Sequence, residues 1–233
     1  MKPLFYLAGF FVAATFAVAI VCGDDFIKTD KDKREVRVAA ETTKRTTPQG
    51  KAWPIEVFLC VERGKMHETV FHTSAKPSEL HKALESIGLK KGEPALPAES
   101  TENGKYVEPK GDKVDVFVEW TNTDGKMRRE PWNKMVVTGQ GSGDPTKSVQ
   151  RGEMKEVAAM SWLFVGSRMG INPDSGAPIY GADDNKSIAT VNHNDVTAVL
   201  QLPGGDKEGF IFDTSTAVPP PGTKVTLILR PAQ

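Results

Sequence analysis

The sequence has few cysteines and no excess of charge of either sign, and each shortage excludes a class of protein. Only two cysteines occur, Cys22 and Cys60. These are too few for a disulfide-stapled scaffold, a thiolate-only zinc site or a thiolate-ligated iron–sulfur cluster. The 30 basic residues balance 30 acidic ones, so no net field attracts nucleic acid or an anionic membrane surface. We therefore expect no nucleic-acid partner.

The sequence also lacks the spacing of common catalytic and cofactor motifs. The glycine-rich stretch 139–143 has no P-loop lysine and no amphipathic helix directly after it, which indicates a flexible linker. Gly166 and Ser167 do not form the Gly-x-Ser-x-Gly pattern of a nucleophile elbow, so a buried serine beside a tight glycine is expected. No cofactor is predicted, and the sequence leaves open whether the chain is an enzyme.

An apolar run at the N-terminus predicts export from the cytoplasm. Lys2 precedes residues 4–21, which carry no charge and contain small residues towards their end. This order is typical of a secretory signal peptide. The run also approaches the length that spans a bilayer, so an uncleaved membrane anchor is an alternative. Cys22 directly after the run makes lipidation a third alternative.

These observations divide the chain into three parts. Residues 1–23 are a signal peptide or N-terminal membrane anchor, residues 24–52 a polar tether or edge strand, and residues 53–233 a single domain. We expect this domain to be extracytoplasmic: periplasmic, secreted, or held at the membrane by its N-terminal segment alone.

Hydrophobic periodicity predicts an α+β fold, mostly antiparallel β-sheet with one or two packed helices. The 21 glycines and 16 prolines favour a loop-rich β protein. The convincing helix covers residues 77–87, with proline at its first position, an apolar stripe and Gly88 after its end.

Alternating residues predict the strands. Residues 55–61 and 66–73 are expected to form a hairpin, and residues 114–120 a strand that turns back at 122–125. The remaining predictions are a buried strand at 162–168, a loop at 170–178, a hairpin of 179–182 with 187–191, and a last strand at 224–229.

Most of the groups that could carry chemistry lie in one stretch, which contains Cys60, His67, Glu68, His72 and His81. His67 and His72 would lie on opposite faces of a regular strand, because strand side chains alternate. Glu68 follows His67, but the next histidine comes one residue too late for an HExxH zinc motif. The spacing therefore predicts no metal site.

Three blocks together resemble the YdjY-type domain family, a group of exported bacterial proteins. The blocks are residues 67–71 running into 76–84 and 88–90, residues 162–168, and residues 218–223 before 225–227. The resemblance covers nearly everything from Trp53 to Pro231. It implies an exported single-domain protein and names no activity, substrate or cofactor. The positions that match the family's motifs include His67, Glu68, Pro77, Gly166, Ser167, Arg168, Asn192 and Asp195.

Two functions follow as expectations. The first is an extracytoplasmic interaction or structural module without catalysis, with a partner in the cell envelope. The alternative is a ligand- or metal-binding protein or enzyme whose site centres on His67 and Glu68, with Arg168 and Asn192 as further ligand-binding residues. Convergence of these four side chains in one concave pocket would favour the alternative, and scattered positions would favour the first.

Overall fold

Strands are the main secondary structure in the computed structural model, which describes residues 26–45, 54–140, 154–191, 197–204 and 210–233. The strands are β1 (Ile27–Asp30), β2 (Glu35–Thr42), β3 (Val57–Val61), β4 (Thr69–Thr73), β5 (Asp112–Thr121), β6 (Met127–Pro131), β7 (Val136–Gln140), β8 (Lys155–Glu156), β9 (Trp162–Phe164), β10 (Met169–Ile171), β11 (Pro178–Tyr180), β12 (Ser187–Thr190), β13 (Leu200–Gln201), β14 (Phe210–Thr214) and β15 (Lys224–Pro231). The helices are α1 (Pro77–Ser86) and α2 (Gly181–Asn185).

Eight of these strands close into a barrel. In hydrogen-bonding order they are β2, β15, β5, β9, β13, β12, β3 and β4, and β4 then pairs with β2. β1 pairs with the first part of β2, and β6 pairs with the last part of β5. The predicted α+β class is therefore wrong: the described residues form a mostly β protein with only two α-helices.

The prediction failed because several segments expected to be loops or hairpins pair differently. Residues 170–178 were expected to be a loop, yet their ends form the antiparallel pair β10 and β11. The predicted hairpin of 179–182 with 187–191 is also wrong, because α2 separates β11 from β12. β12 pairs instead with β3 and β13.

The predicted hairpin of β3 with β4 is wrong in direction. Both strands exist, but they run parallel, with Leu59 opposite Phe71 and Cys60 opposite His72. Residues 62–68 carry the chain back along β3 and include the 3-10 helix Met66–Glu68. Alternating side chains indicate a strand without fixing its direction, so sequence periodicity could not distinguish the two arrangements.

The barrel interior is filled by apolar side chains, as is usual for eight strands. Val38 lies opposite Leu227, and Leu227 lies opposite Val118, so these three buried residues share one face of the sheet. An aromatic cluster continues the core, with ring centroids 5.0–6.0 Å apart, and comprises Phe58, Phe71, Trp132 and Trp162.

Helix α1 confirms the prediction for residues 77–87. Leu80 and Leu84 are fully buried, which satisfies the apolar stripe. The Ser78 N–H in the first turn donates to Asp183 Oδ1 at 2.9 Å, so a carboxylate lies at the positive end of the helix. Gly88 follows the helix with φ +88°, the left-handed conformation that glycine adopts most readily.

The remaining elements surround the barrel. β14, β7 and β8 form a separate three-stranded sheet, joined to the barrel by a bridge between Ile55 and Phe212. The β5–β6 hairpin and the last strand β15 confirm their predictions. β2, in the segment predicted to be a tether or edge strand, pairs with β1, β4 and β15 and lies inside the sheet.

Two further predictions concern residues outside those described. Residues 1–23 are among them, and so is most of the linker predicted from residue 139 onwards. Within the described part of the chain, neither helix has the length and hydrophobicity needed to cross a membrane.

Candidate functional site

One connected group of ionisable side chains centres on His81 in α1. His81 Nδ1 lies 2.7 Å from the Tyr180 hydroxyl at the end of β11, and His81 Nε2 lies 3.3 Å from Glu85 Oε1 one helical turn later. The Tyr180 hydroxyl oxygen also accepts the Ser167 N–H at 3.0 Å. The imidazole packs edge-on against Phe164, with ring centroids 5.0 Å apart.

These contacts fix one consistent arrangement of protons. A carboxylate accepts hydrogen bonds, so the proton on Nε2 of His81 faces Glu85. Nδ1 is then an acceptor, and the Tyr180 hydroxyl donates to it while accepting from the Ser167 N–H. The chain Ser167–Tyr180–His81–Glu85 leaves both ring nitrogens with a partner, so His81 has no lone pair directed at a substrate.

The pKa directions agree with this arrangement. Burial lowers the pKa of His81 below its usual 6.5, outweighing the Glu85 carboxylate. Burial likewise raises the pKa of Tyr180 to about 12. A neutral imidazole and a protonated phenol form a stable hydrogen-bonded pair at neutral pH. The group holds α1 against β11.

Two glycines allow the backbone to approach this group closely. Gly166 has φ +65°, and a Cβ there would lie 3.1 Å from His81 Cε1 and 3.0 Å from Lys91 Cδ. A Cβ on Gly181 would lie 2.7 Å from the Arg168 carbonyl oxygen. Ser167 is buried and its hydroxyl donates to that carbonyl, which confirms the interpretation of a structural serine beside a tight glycine.

The hairpin of β10 and β11 begins at this corner. The Gly181 N–H donates to the Arg168 carbonyl at 2.8 Å and closes its base, while the Asn172 N–H donates to the Ala177 carbonyl at its tip. Tyr180, the last residue of β11, anchors the hairpin to His81. The two strands pair with no other strand among the described residues.

One face of the hairpin is apolar and exposed. Side chains alternate along a strand, so Met169, Ile171, Pro178 and Tyr180 share a face. Met169 is 63% exposed and Ile171 is 74% exposed. Exposed apolar residues that are adjacent, rather than scattered singly, indicate a contact surface. We call this hairpin, residues 169–180, the β10–β11 hairpin.

A different environment surrounds His67 and Glu68, which were predicted from the sequence. His67 Nε2 and Lys65 Nζ each lie 3.7 Å from a Glu68 carboxylate oxygen, longer than a good charged hydrogen bond. Burial and the nearby Glu56 carboxylate raise the pKa of Glu68, while Lys65 and His67 partly oppose this. The cluster holds excess negative charge in a half-buried position.

Glu68 and Arg168 bond to different elements. Glu68 directly precedes Thr69, which pairs with Val57 at the start of the strand. At the other end, the Val61 N–H donates to the carbonyl of Lys186, directly after α2, and α2 begins at the residue that bonds to Arg168. The structure places His67 beside Glu68, whereas Arg168 has an exposed side chain and accepts hydrogen bonds from Ser167 and Gly181 through its carbonyl.

Other predicted residues fall outside the site or outside the described chain. Asn192 and Asp195, and Cys22 as a lipidation position, are not among the described residues. Among those that are, no three His, Cys, Asp or Glu side chains lie close enough together to hold a metal ion. Cys60 is buried, and burial raises the pKa of its thiol to about 11.

Sequence reasoning named His81 but assigned it no role, and it missed Tyr180. The one signal in the sequence is the spacing of His81 and Glu85, four residues apart on one helix. Tyr180 is 99 residues further along the chain, so its position beside His81 depends on the tertiary fold.

Comparisons with known proteins identify the family. The chain matches no curated protein and no solved structure. A family model, the YdjY domain, matches residues 27–230, which span the barrel, both helices and the β10–β11 hairpin. The match agrees with the resemblance seen in the sequence, and the chain belongs to the YdjY domain family.

Proposed function

We propose that this domain is a non-catalytic interaction module outside the cytoplasm that presents the β10–β11 hairpin to a partner in the cell envelope. The observation that carries the proposal is the pair of exposed apolar side chains, Met169 and Ile171, on one face of a hairpin. Exposed apolar surface is costly in water, and it is retained where a partner covers it.

The base of the hairpin supports the proposal because it is held rigidly. Tyr180 is fixed through its hydroxyl by His81 and the Ser167 N–H, and the Gly181 N–H closes the first rung. A surface held in one conformation before binding loses less conformational entropy when a partner arrives. The buried polar group thus has a use without catalysis.

The arrangement of the other predicted residues supports the same choice. The alternative was a ligand site centred on His67 and Glu68, with Arg168 as an anion-binding residue, and the Arg168 carbonyl bonds to Gly181 in the other group. No observation on His67 or Glu68 favours a second candidate function.

The test places a photo-crosslinking amino acid at Met169 of the full chain in the cells that produce it. Met127 in β6 is the matched control, because it has the same exposed fraction, 63%. We expect a defined crosslinked product from position 169 that position 127 does not give. Equal yields of the same products from both positions would contradict an interaction surface on the hairpin.

The location outside the cytoplasm has a separate test. Fractionation of the same cells should recover the chain from the envelope or the medium, and mass spectrometry of its N-terminus distinguishes cleavage, retention and lipidation. Recovery of the intact chain from the cytoplasm alone would overturn the proposed location.

A further inference from the structure

The outer edge of β10 pairs with no other strand in the described part of the chain. The bonds at residues 168 with 181 and 172 with 177 fix which pairs of the hairpin exchange hydrogen bonds. By alternation, Gly170 with Ile179 is such a pair, whereas Met169 and Ile171 direct their N–H and C=O groups away from β11. An edge of this kind is a template for another strand.

The two edges of the hairpin are not equivalent. On β11 the outward positions are Pro178 and Tyr180. Pro178 has no N–H, so the β11 edge offers one donor fewer, and proline is a residue that blocks strand addition. Tyr180 is also held against His81. The β10 edge is therefore the one open to a new strand.

We propose that β10 pairs with β10 of a second copy of this chain, antiparallel and centred on Gly170, so that the partner of the proposed function is the protein itself. In this register Met169 of one copy faces Ile171 of the other. Both residues direct their backbone groups outward, so each such pair exchanges two hydrogen bonds. On the shared face, Met169 of each copy contacts Ile171 of the other, so the pairing covers part of both exposed side chains.

Gly170 suits the centre of such a pair. It would face its own counterpart as a non-hydrogen-bonded pair, the type in which Cα atoms approach to about 4.5 Å. Glycine places no side chain at this contact. The balanced charge of the chain, formally +0, adds no repulsion between copies. An edge of three residues makes a small contact. Small contacts are typical of weak, concentration-dependent association.

The experiment uses disulfide formation in the full chain with Cys22→Ser, leaving the buried Cys60 in place. Gly170→Cys places two thiols across the proposed axis, within the roughly 4.4–6.8 Å Cα separation that disulfides span. A Cβ at this position meets only Ile179 Cγ2, at 3.6 Å, and the Ile179 carbonyl oxygen, at 4.0 Å, both ordinary contacts, so the variant keeps its fold. Met127→Cys is the exposed control.

Met169→Cys tests the register. In the proposed pairing the two copies of residue 169 are diagonal neighbours about 7–8 Å apart, beyond easy disulfide reach. We expect Gly170→Cys to form covalent dimers at least about tenfold faster than either Met169→Cys or Met127→Cys, because pairing raises the local thiol concentration. Equal rates at 170 and either control position would overturn the pairing.

Ile171→Pro in the Gly170→Cys chain supplies a second test. It removes an outward N–H that the hairpin itself does not use, whereas Ile171→Thr keeps that N–H. We expect the proline to reduce dimer formation to the Met127→Cys rate while threonine retains most of it. A proline variant that dimerises as fast as its parent would contradict strand pairing.

The inference rests on the proposed function, but the two fail differently. If photo-crosslinking at Met169 captures another protein while Gly170→Cys forms no dimer, the interaction module stands and self-pairing is overturned. If neither position gives a product above the Met127 control, both are overturned.

Discussion

His81 and His67 illustrate how differently two regions of the molecule treat a similar set of groups. The His81 side chain is 12% exposed and has a partner on each ring nitrogen. The His67 side chain is 54% exposed and lies 3.7 Å from a carboxylate. Each histidine has a glutamate beside it, and His81 also contacts the Tyr180 hydroxyl and packs against the Phe164 ring. The comparison is therefore between a histidine packed into the fold and one that is largely exposed.

The largest expected effect comes from removing each histidine in turn. His81→Ala leaves a cavity beside Phe164 and takes a partner from the buried Tyr180 hydroxyl, so we expect the free energy of unfolding to fall by about 2–4 kcal/mol. His67→Ala should change it by less than about 0.5 kcal/mol, as is usual for exposed positions. Urea denaturation of both variants measures the difference, and equal losses would contradict the comparison.

A smaller effect is expected from the glycine that contacts His81. Gly166→Ala adds a methyl group close to His81 and Lys91 in a left-handed residue, whereas Gly176→Ala adds one at φ +68° with nothing within 4 Å. Both variants bear the left-handed strain of about 1–2 kcal/mol. We expect Gly166→Ala to cost about 1 kcal/mol more, from crowding. Thermal unfolding of the two variants measures the difference. Equal melting temperatures would show that the His81 side chain shifts away from the added methyl group at no cost in stability.

The third prediction concerns pH and His81. The folded state lowers the pKa of His81 below its usual 6.5. Above pH 6.5 the His81 imidazole is therefore mostly neutral in both the folded and the unfolded chain. As pH falls below 6.5, the unfolded chain binds the proton first, and stability is lost until pH passes the folded pKa. His81→Gln cannot titrate, so its stability should fall less over this window. Parallel pH profiles for parent and variant would contradict the assignment.

The smallest effect is expected at Glu68, beside His67, and its pH dependence has the opposite sign. The pKa of Glu68 is raised from 4.5, so the folded state favours the protonated carboxyl. Stability is therefore lost as pH rises from 4.5 to the higher folded pKa. Glu68→Gln removes the ionised group, and we expect a slight gain in stability at pH 7 that shrinks as pH falls towards 4.5. A loss at pH 7 would instead show that the pairs with Lys65 and His67 dominate.

Local patterns predicted the local elements of this protein. Helix α1 with Gly88, the β5–β6 hairpin and the last strand β15 depend on residues close together in sequence, and all are confirmed. Closure of the barrel depends on β4 meeting β2 and on β3 running parallel to β4. Those pairings join distant segments through no periodic signal, so the sequence predicted an α+β fold of mostly antiparallel sheet and did not predict the barrel.

The candidate site divides in the same way. The sequence indicated His67 and Glu68 because they are adjacent, and the structure does place them near each other. The His81 group was hidden because Ser167 and Tyr180, which were predicted to lie in strands, are far from His81 in sequence and meet it only in the tertiary fold. An exposed hairpin with three-residue strands offers too few alternations for periodicity to identify it.

The position of β15 between β2 and β5 has a consequence for when the protein can fold. A chain that leaves the ribosome or a membrane pore does so N-terminus first. The part of β2 that pairs with β15 therefore stays unpaired until residues 224–231 emerge. The sheet therefore has an open seam throughout synthesis or transport. In a chain of this topology the barrel completes late, when β15 pairs with β2 and β5. The pairing with β2 is a long-range contact between segments far apart in sequence.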